Sequence, residues 1–492
     1  MTEQTPPSKF EQQRREKLEK IRGLGMDPYG QRLDGVQPAE GVKAGYVDDR
    51  EGQRARCAGR IVLLRDIGKL IFITLRDSGG TIQLGLSKKL LDSQWEAIKL
   101  FELGDVAAAE GTLGRTKTGE ITIWVESITM LSKALLPPPE KFHGLADVDM
   151  RYRMRYVDLW SNPEVMERFI QRSAITASVR RFLCEKGFLE VETPMMQTIA
   201  GGAAARPFIT HHNTLGIDLF LRIAPELFLK RLLVGGMEKI FEINRNFRNE
   251  GLSTRHNPEF TMMELYQAYA DYGVMMDLTE ELVCHLIERH CASQTLPFGT
   301  MTVDYARPWR RARYADLLKE HGGCDMEDMA SVRARARALG INEVNKDDAV
   351  VVNAVFEETV EEHLVHPTFV IDYPAAICPL TRQSKSDPRF AERFELFIGK
   401  MELANAYTEL NDPDVQEANF RRQLRGQAAD ETMATMDEDF ITAMKYGMPP
   451  AGGLGIGIDR LVMLLTGAAS IRDVILFPLL KPLADKPHTD AE

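Results

Sequence analysis

The sequence has few cysteines, and none of them stands in the short spacing that a metal or redox site uses. Six cysteines occur in 492 residues, and no two of them are separated by only two residues. We therefore expect neither a structural zinc site nor a disulfide framework. The six are Cys57, Cys184, Cys284, Cys291, Cys324 and Cys378.

Long hydrophobic runs are also lacking. No apolar run approaches the ~20 residues that a membrane-spanning helix needs. The first ten residues are polar and contain no apolar core of a secretory signal. We therefore expect a cytoplasmic protein without a membrane partner.

Positive charge is not in excess, because 61 Lys and Arg residues face 72 Asp and Glu residues and the net charge is −11. This balance argues against a protein that coats nucleic acid through its overall field. A local basic face could still bind phosphate, so contact with RNA remains open. The length allows two or three domains, each with a sizeable core.

An N-terminal helix is predicted from residue 9 to about residue 24, with Ser8 as its cap. Its basic residues suit either a solvated helix that also carries three glutamates or a contact with the RNA backbone, and the sequence leaves both open. The basic residues are Lys9, Arg14, Arg15, Lys17, Lys20 and Arg22.

Five short alternating segments follow, with one helix predicted at residues 90–101 among them. This pattern indicates an OB-fold, a small barrel that binds single-stranded nucleic acid; a generic small barrel used only for contacts is the alternative. The predicted strands are residues 58–64, 70–75, 81–86, 106–113 and 121–130.

Three consecutive prolines, 137–139, then suggest a linker. We accordingly divide the chain into an N-terminal helical extension at residues 1–50, the barrel at 51–140 and a larger domain at 141–492.

The centre of that larger domain is predicted to be a pair of antiparallel strands within residues 239–272. In the second strand Phe260, Met262, Glu264 and Tyr266 alternate onto one side. A polar connection, residues 251–258, is longer than an ordinary hairpin loop. Taken residue by residue, an amphipathic hairpin with solvated ion pairs would be the usual interpretation.

The whole string is more specific. Residues 247–250 (Phe-Arg-Asn-Glu) followed by 255–266 (Arg-His-Asn-Pro-Glu-Phe-Thr-Met-Met-Glu-Leu-Tyr) resemble the second signature motif of class II lysyl-tRNA synthetases. A predicted helix from Pro163 to Gly187 with a strand at 188–193 resembles the first motif, and residues 452–461 resemble the third. All three occur in the order that the family has.

The resemblance implies an α+β multidomain protein. Its N-terminal OB-fold β-barrel would bind the anticodon, and an antiparallel β-sheet catalytic domain flanked by helices would follow. The segment of about residues 275–365 would be a helical insertion, and the first motif would build a homodimer. The implied activity is that of a lysine–tRNA ligase, which uses ATP to form lysyl-adenylate from L-lysine and transfers the lysyl group to the 3′ end of tRNA-Lys.

The resemblance also assigns the site residues, with Arg248 and Arg460 as the catalytic pair. ATP would be bound by Arg248, Glu250, Arg255, His256, Phe260 and Arg460. Lysine would be bound by Gly202, Ala224, Glu226, Arg248, Glu264, Tyr266, Asn405, Tyr407 and Glu409. Mg²⁺ would be held by Glu395 and Glu402, and the anticodon by Phe72, Gln83 and Glu120.

Several of these residues have ordinary structural alternatives. Glu226 could pair with Arg222, Arg393 and Glu395 could form a surface ion pair, and Phe72 could be a core residue. For the whole chain, the alternatives are a lysyl transferase that modifies a protein, and a non-catalytic RNA-binding paralogue. The first would lack the barrel, and the second would have lost motif residues that this chain retains.

Overall fold

The computed structural model describes residues 8–48, 50, 52–138, 145–203, 205–344, 346–424 and 436–483. The chain divides into two compact units, residues 1–166 and 167–492. The boundary predicted near residue 140 falls within 139–144, outside the described residues, and stays a prediction.

The α-helices of the described residues are α1 Lys9–Gly23, α2 Ala39–Ala44, α3 Trp95–Ile98, α4 Val148–Arg153, α5 Arg155–Ser161, α6 Pro163–Glu185, α7 Glu226–Val234, α8 Tyr272–His290, α9 Tyr314–Leu317, α10 Met329–Ala338, α11 Asp348–Thr359, α12 Pro413–Leu424, α13 Glu438–Lys445 and α14 Ile458–Thr466.

The strands are β1 Arg54–Asp66, β2 Leu70–Arg76, β3 Thr81–Ser87, β4 Val106–Arg115, β5 Ile121–Ser132, β6 Leu189–Glu190, β7 Met196–Gln197, β8 Ile209–His212, β9 Ile217–Leu221, β10 Lys239–Phe247, β11 Glu259–Ala268, β12 Thr295–Phe298, β13 Met301–Asp304, β14 Arg310–Arg313, β15 Thr368–Pro374, β16 Phe390–Ile398, β17 Met401–Thr408 and β18 Ala451–Gly457.

In the first unit, strands β1 to β5 close into a barrel in the order β1-β2-β3-β5-β4, which confirms the predicted OB-fold. Alternate residues of β2 are buried, because successive side chains of a strand point to opposite faces. The helix predicted at 90–101 is shorter than expected, with α-helix only at Trp95–Ile98. Leu91, Trp95, Ile98 and Phe101 are nevertheless all buried, so the helical spacing reflects packing against the barrel core.

Helix α1 begins at its predicted cap, where Ser8 accepts a hydrogen bond from the Glu11 amide. Arg14 is buried and donates to the carbonyl oxygens of Ala134 and Leu103. Lys17 lies 2.7 Å from Glu102. Arg14 is therefore a buried structural residue, which neither alternative described, whereas Lys17 is a partly exposed residue paired with Glu102.

The second unit is built on an eight-stranded sheet in the order β14-β15-β16-β17-β18-β11-β10-β6. Its central pairs are antiparallel, and only the edge pairs β14–β15 and β10–β6 are parallel. Helices α6, α8 and α14 contribute to a large apolar core with the sheet. The predicted fold class, an α+β multidomain protein with a barrel and an antiparallel catalytic sheet, is confirmed.

Two local predictions differ from the structure. The strand predicted at 188–193 is only two residues long, because its pairing with β10 is confined to Leu189 and Glu190. The segment 275–365 contains most of α8, the strands β12 to β14 and the helices α9 to α11, so it is not purely helical. Helix α8 belongs to the main core, and β14 belongs to the main sheet.

Candidate functional site

The central strands β10, β11 and β18 form the floor of the site. Glu242 pairs with Glu264 across β10 and β11, while Glu264 and Tyr266 pair with Gly455 and Gly453 of β18. These pairings agree with the predicted alternation in β11. The polar residues Glu264 and Tyr266 each lie beside a glycine of β18. The sheet thus leaves space on this face for ligands.

One cavity on this face collects all six residues predicted to bind ATP, together with Glu402, Gly455 and Gly457. The Arg248 guanidinium lies 5.1 Å from the centre of the Phe260 ring. Arg460 donates to the Glu402 carbonyl oxygen over 2.7 Å, and its other terminal nitrogen lies 3.2 Å from His256 Nε2. Cations and an aromatic ring in one cavity suit a nucleotide with its phosphates.

The loop between β10 and β11 supplies His256 and Arg255. His256 Nδ1 lies 2.9 Å from Ser253 Oγ, and Arg255 donates to the Lys400 carbonyl oxygen over 2.9 Å. Burial and the neighbouring Arg460 lower the pKa of His256 below its ordinary value. This shift favours the neutral imidazole, in which Nε2 can accept from Arg460 while Nδ1 donates to Ser253.

A second cavity adjoins the first and collects eight of the nine residues predicted to bind lysine: Gly202, Ala224, Glu226, Arg248, Glu264, Tyr266, Asn405 and Tyr407. Arg248, Met262, Asn405 and Gly455 line both cavities. Within the described residues no carboxylate forms an ion pair with Arg248, and its buried Nε atom has no hydrogen-bond partner. A free guanidinium thus stands where the two cavities meet.

Glu409, the ninth residue, is buried behind the second cavity instead of lining it. Its Oε2 atom lies 2.5 Å from Nζ of Lys230, whose side chain is completely buried. Lys230 Nζ also lies 2.6 Å from Glu226 Oε1. Sequence reasoning missed Lys230, although its position four residues after Glu226 at the start of a helix was a usable signal.

The partner expected for Glu226 in the structural alternative was Arg222, and this is wrong. Arg222 instead forms a buried ion pair with Glu242 over 2.6 Å. Glu226 is therefore paired with Lys230, and Arg222 with Glu242.

Burial shifts the ionisation of these groups. It raises the pKa of Glu264 to about 8, helped by the nearby Glu226 and Glu242. It also raises the pKa of Glu409 to about 7, against the effect of Lys230. Burial alone would lower the pKa of Lys230, but Glu226 and Glu409 outweigh it and the pKa is raised. Tyr266 donates to Glu264 Oε2 over 3.3 Å.

Gly453 makes room for this group of side chains. A Cβ atom at Gly453 would overlap Glu409 Oε1 and lie 2.6 Å from Cε1 of Tyr266. Both Glu409 and Tyr266 therefore lie over this glycine. Gly455 and Gly457 line the first cavity, whereas Gly453 makes room for Glu409 and Tyr266.

Arg393 is a further cavity residue that sequence reasoning missed. Its guanidinium lies 4.6 Å from the Tyr373 ring and 5.3 Å from the Tyr407 ring. It forms an ion pair with Glu395 in which both side chains are mostly buried. The surface ion pair considered as an alternative is therefore wrong, because aromatic side chains of neighbouring strands cover it.

The two carboxylates predicted to hold Mg²⁺ lie on the adjacent strands β16 and β17. Glu402 lines the first cavity and accepts from Asn405 over 3.0 Å, and Glu395 accepts from Tyr373 over 2.6 Å. Burial raises the pKa of Glu395, and Glu402 opposes its ionisation further. Burial would also raise the pKa of Glu402, but Arg460 and Arg393 outweigh it and the pKa is lowered.

Of the two, only Glu402 lines the first cavity, while Glu395 is held by Arg393 and by Tyr373 of the adjacent strand. One or two carboxylates together with substrate phosphates are the usual ligands of Mg²⁺, and Glu402 fits that set. In the part of the chain that the structure describes, no group of three or more acidic, histidine or cysteine side chains forms a site from protein ligands alone.

The residues predicted to bind the anticodon lie on the barrel. Phe72 is half-buried on the face opposite the core, so the core alternative is wrong for it. Its ring lies 6.2 Å from Trp124 and 5.7 Å from the Arg65 guanidinium. Trp124 and Arg65 were missed by sequence reasoning.

Gln83 and Glu120 differ in exposure. Gln83 is buried, and it donates to Thr122 Oγ1 over 2.8 Å, so it is not a free outward-facing residue. Glu120 is exposed. Gly85 allows Trp124 to lie across the barrel face, since a Cβ atom there would be 2.6 Å from the indole. Phe72 and Trp124 together offer aromatic surfaces for unpaired bases.

None of the helices within the described residues is both long enough and apolar enough to span a membrane.

Comparisons with known proteins agree with this geometry. Residues 147–481 match the family model of class II tRNA synthetases (D, K and N), and residues 55–131 match the OB-fold nucleic acid binding domain. The chain is 52% identical to the lysine–tRNA ligase of Carboxydothermus hydrogenoformans, over 95% of this chain and 97% of the relative.

Two further lysine–tRNA ligases are similar over nearly their whole length. The protein of Pelotomaculum thermopropionicum is 53% identical over 95% of this chain and 94% of the relative. The protein of Dehalococcoides mccartyi is 48% identical over 98% of this chain and 99% of the relative. With a catalytic-domain match over most of its length and relatives of this similarity, the chain belongs to the lysine–tRNA ligase family of class II tRNA synthetases.

Proposed function

We propose that the protein activates L-lysine with ATP and transfers the lysyl group to the 3′ end of tRNA-Lys. The observation that carries this proposal is the unpaired Arg248 at the junction of a nucleotide cavity and an acidic cavity. A guanidinium at this point can contact a carboxylate from one side and a phosphate from the other. The residue therefore lies where an acyl-phosphate bond would form.

In the first step a carboxylate oxygen of lysine attacks the α-phosphorus of ATP. A new phosphorus–oxygen bond forms as the bond to pyrophosphate breaks, which gives lysyl-adenylate. Arg248 would hold the two reacting groups together and stabilise the charge that builds up on the phosphate. In the second step a terminal ribose hydroxyl of tRNA attacks the lysyl carbonyl and AMP leaves.

The remaining residues of the first cavity would hold ATP. Phe260 would stack on the adenine and Arg460 would cover its other face and reach the γ-phosphate, while Glu250 would accept from the adenine amino group. Arg255 and His256, on the same loop, would bind the outer phosphates. Their positions around one cavity support these roles.

Mg²⁺ would be held by Glu395 and Glu402, and when bound it would neutralise charge on the ATP phosphates. Arg393 would keep Glu395 in place beside this site through their buried ion pair.

The second cavity would select lysine. Gly202, Ala224 and Glu226 would receive the α-ammonium, and Asn405 would contact the carboxylate. The Tyr407 ring would lie along the aliphatic chain, with Glu264, Tyr266 and Glu409 at the far end. A substrate without the ε-ammonium would leave Glu264 without a cationic partner, at a cost of about 1–3 kcal/mol.

The barrel would bind the anticodon through Phe72, Gln83 and Glu120. Stacking on Phe72 and hydrogen bonds to base edges are the usual means of reading unpaired bases.

We also propose a homodimer and a cytoplasmic location. The segment from β6 to β9 exposes several apolar side chains, which suits a protein–protein interface. Charged tRNA is used where translation takes place.

The test is aminoacylation of unfractionated tRNA with each of the twenty amino acids in the presence of ATP. We expect charging with lysine alone. Charging with aspartate or asparagine would contradict the proposed specificity. Lysine-dependent pyrophosphate exchange without tRNA charging would favour a protein-modifying lysyl transferase, and no pyrophosphate exchange would favour a non-catalytic protein.

A further inference from the structure

Lys230 lies behind the second cavity, where it forms ion pairs with two carboxylates. Its ammonium is completely buried, 2.6 Å from Glu226 Oε1 and 2.5 Å from Glu409 Oε2. The two acidic residues come from different places in the fold, since Glu226 starts helix α7 and Glu409 follows strand β17. A single side chain therefore fixes the relative position of both carboxylates.

The charges around this cavity can be counted from its ion pairs. Glu226, Glu264 and Glu409 supply three carboxylates, and Lys230 supplies one cation. Glu242 is neutralised separately by Arg222, and Arg393 by Glu395. With all of these groups ionised, the cavity carries two net negative charges, apart from Arg248 at its border. L-lysine brings two ammonium groups for these charges and one carboxylate for Arg248.

No other described cation forms an ion pair with Glu226 or Glu409. The titratable groups near these carboxylates on the neighbouring strands are Glu264, Tyr266 and Tyr407, which bring no positive charge. Arg248 and Arg393 also line the cavity, but Arg393 is paired with Glu395 and neither forms an ion pair with Glu226 or Glu409. Without Lys230, none of these three carboxylates would have a cation of the described residues within ion-pair distance. Such groups take up protons rather than remain charged.

We propose that Lys230 is a positioning residue that sets the specificity of the amino-acid site. It fixes Glu226 and Glu409 and leaves the cavity with the net charge that a diamino acid matches. This inference rests on the proposed activation of lysine.

The test compares Lys230→Met, which removes the charge at similar length, with Lys230→Arg, which keeps it. Lysine-dependent pyrophosphate exchange is measured at pH 7 and pH 8.5, with separate KM values for lysine and ATP. For Lys230→Met we expect the lysine KM to rise about tenfold or more at pH 7. The rise should shrink by about threefold or more at pH 8.5, because the carboxylates ionise again.

The KM for ATP should change by less than about twofold in Lys230→Met, and Lys230→Arg, which keeps the charge, should recover part of the lysine affinity. The matched control is Lys445→Met, at an exposed lysine of helix α13. An unchanged lysine KM, a loss that is equal at both pH values, or an equal loss of ATP affinity would each overturn the proposal. If the wild-type protein activates no lysine, the proposed function fails instead.

A measurement on the wild type does not depend on a folded variant. Calorimetry of lysine binding at pH 8, in buffers of different ionisation enthalpy, counts the protons released. Because Lys230 keeps Glu226 and Glu409 charged, we expect at most about one proton, from Glu264. Release of about two protons would overturn the proposal.

Discussion

Three carboxylates in or directly behind the second cavity differ in the group that neutralises each of them. Glu226 and Glu409 share the ammonium of Lys230, whereas Glu264 has a hydrogen bond from Tyr266 and no ion pair among the described residues. Burial raises the pKa of Glu264 to about 8, so in the absence of a ligand this carboxyl carries a proton at pH 7. Glu264 is therefore the group most changed by an arriving cation.

Glu264→Gln should weaken lysine binding far more than ATP binding. The amide keeps the shape of the side chain but cannot supply the negative charge that the ε-ammonium needs. We expect the lysine KM in pyrophosphate exchange to rise about 10- to 100-fold, corresponding to roughly 1–3 kcal/mol. The ATP KM should stay within about threefold.

The matched control is Glu259→Gln, at an exposed glutamate where the same strand begins. Both KM values should be unchanged in this variant. Normal lysine activation by Glu264→Gln would contradict the proposed role of Glu264.

Lysine binding should depend on pH through Glu264. The pKa of about 8 in the empty site lies above the ordinary value, so below pH 8 the ligand must displace a proton. Affinity should therefore rise with pH up to about 8 and fall by up to about tenfold for each unit below it. Calorimetry at pH 7 should detect about one more proton released per lysine by the wild type than by Glu264→Gln. Equal proton release by both would refute the linkage.

At the scale of elements, strand β18 contributes to both cavities, because its glycines leave almost no side-chain volume on the face of the sheet where the cavities lie. Gly455 lies at their border, and Gly453 lies under Glu409 and Tyr266. A small residue in the middle of a sheet weakens the strand itself. The absence of a side chain at Gly453 leaves a recess in which the buried Glu409 carboxylate fits.

Gly453→Ala should disrupt the amino-acid site while leaving the nucleotide site intact. The new methyl group would displace Glu409 and the Tyr266 ring. We expect the lysine KM to rise about tenfold or more, the effect of moving a charged group at a buried site. Gly41→Ala in helix α2, where no atom lies within 4 Å of the added Cβ, is the control. An unaltered lysine KM in Gly453→Ala would show that the recess is not needed.

The barrel is a separate element with its own prediction. Phe72→Ala should raise the KM for tRNA about tenfold or more, since stacking of a base on an aromatic side chain contributes roughly 1–3 kcal/mol. Lysine-dependent pyrophosphate exchange should be unaffected, because that reaction needs no tRNA.

Tyr29→Ala, at another exposed aromatic residue of the same unit, is the control for this experiment. If Phe72→Ala charges tRNA with wild-type KM, the face formed by Phe72 and Trp124 is not the anticodon site.

At the scale of the whole molecule, the segment from β6 to β9 exposes apolar side chains that a single chain leaves in water. These include Leu189, Met196, Ile209 and Ile217. Ile209→Lys should therefore shift the protein toward the mass of one chain in sedimentation equilibrium, because a lysine cannot be buried unpaired at an interface. Val344→Lys, at an equally exposed apolar residue elsewhere, should leave the mass unchanged. A wild-type protein that sediments as a single chain would contradict the proposed homodimer.

The sequence by itself predicted the five barrel strands and the central pair β10 and β11 with their alternating faces, and its resemblance to a known family indicated most of the residues that line the two cavities. Period-two patterns in 239–247 and 259–268 fix which side chains share a face, whatever the rest of the chain does. Motif order then indicated the family, and local spacing predicted α1, α6 and the five barrel strands within a few residues.

Only the tertiary structure decided which partners these residues have. Lys230 meets Glu409, Arg393 is covered by tyrosines of other strands, and Gly453 underlies Tyr266 through contacts between segments far apart in the chain. Local patterns carry no information about such contacts, because burial and pairing depend on which strands become neighbours. That neighbourhood also sets the pKa of Glu264, since burial removes the carboxyl from water and places it near Glu226 and Glu242.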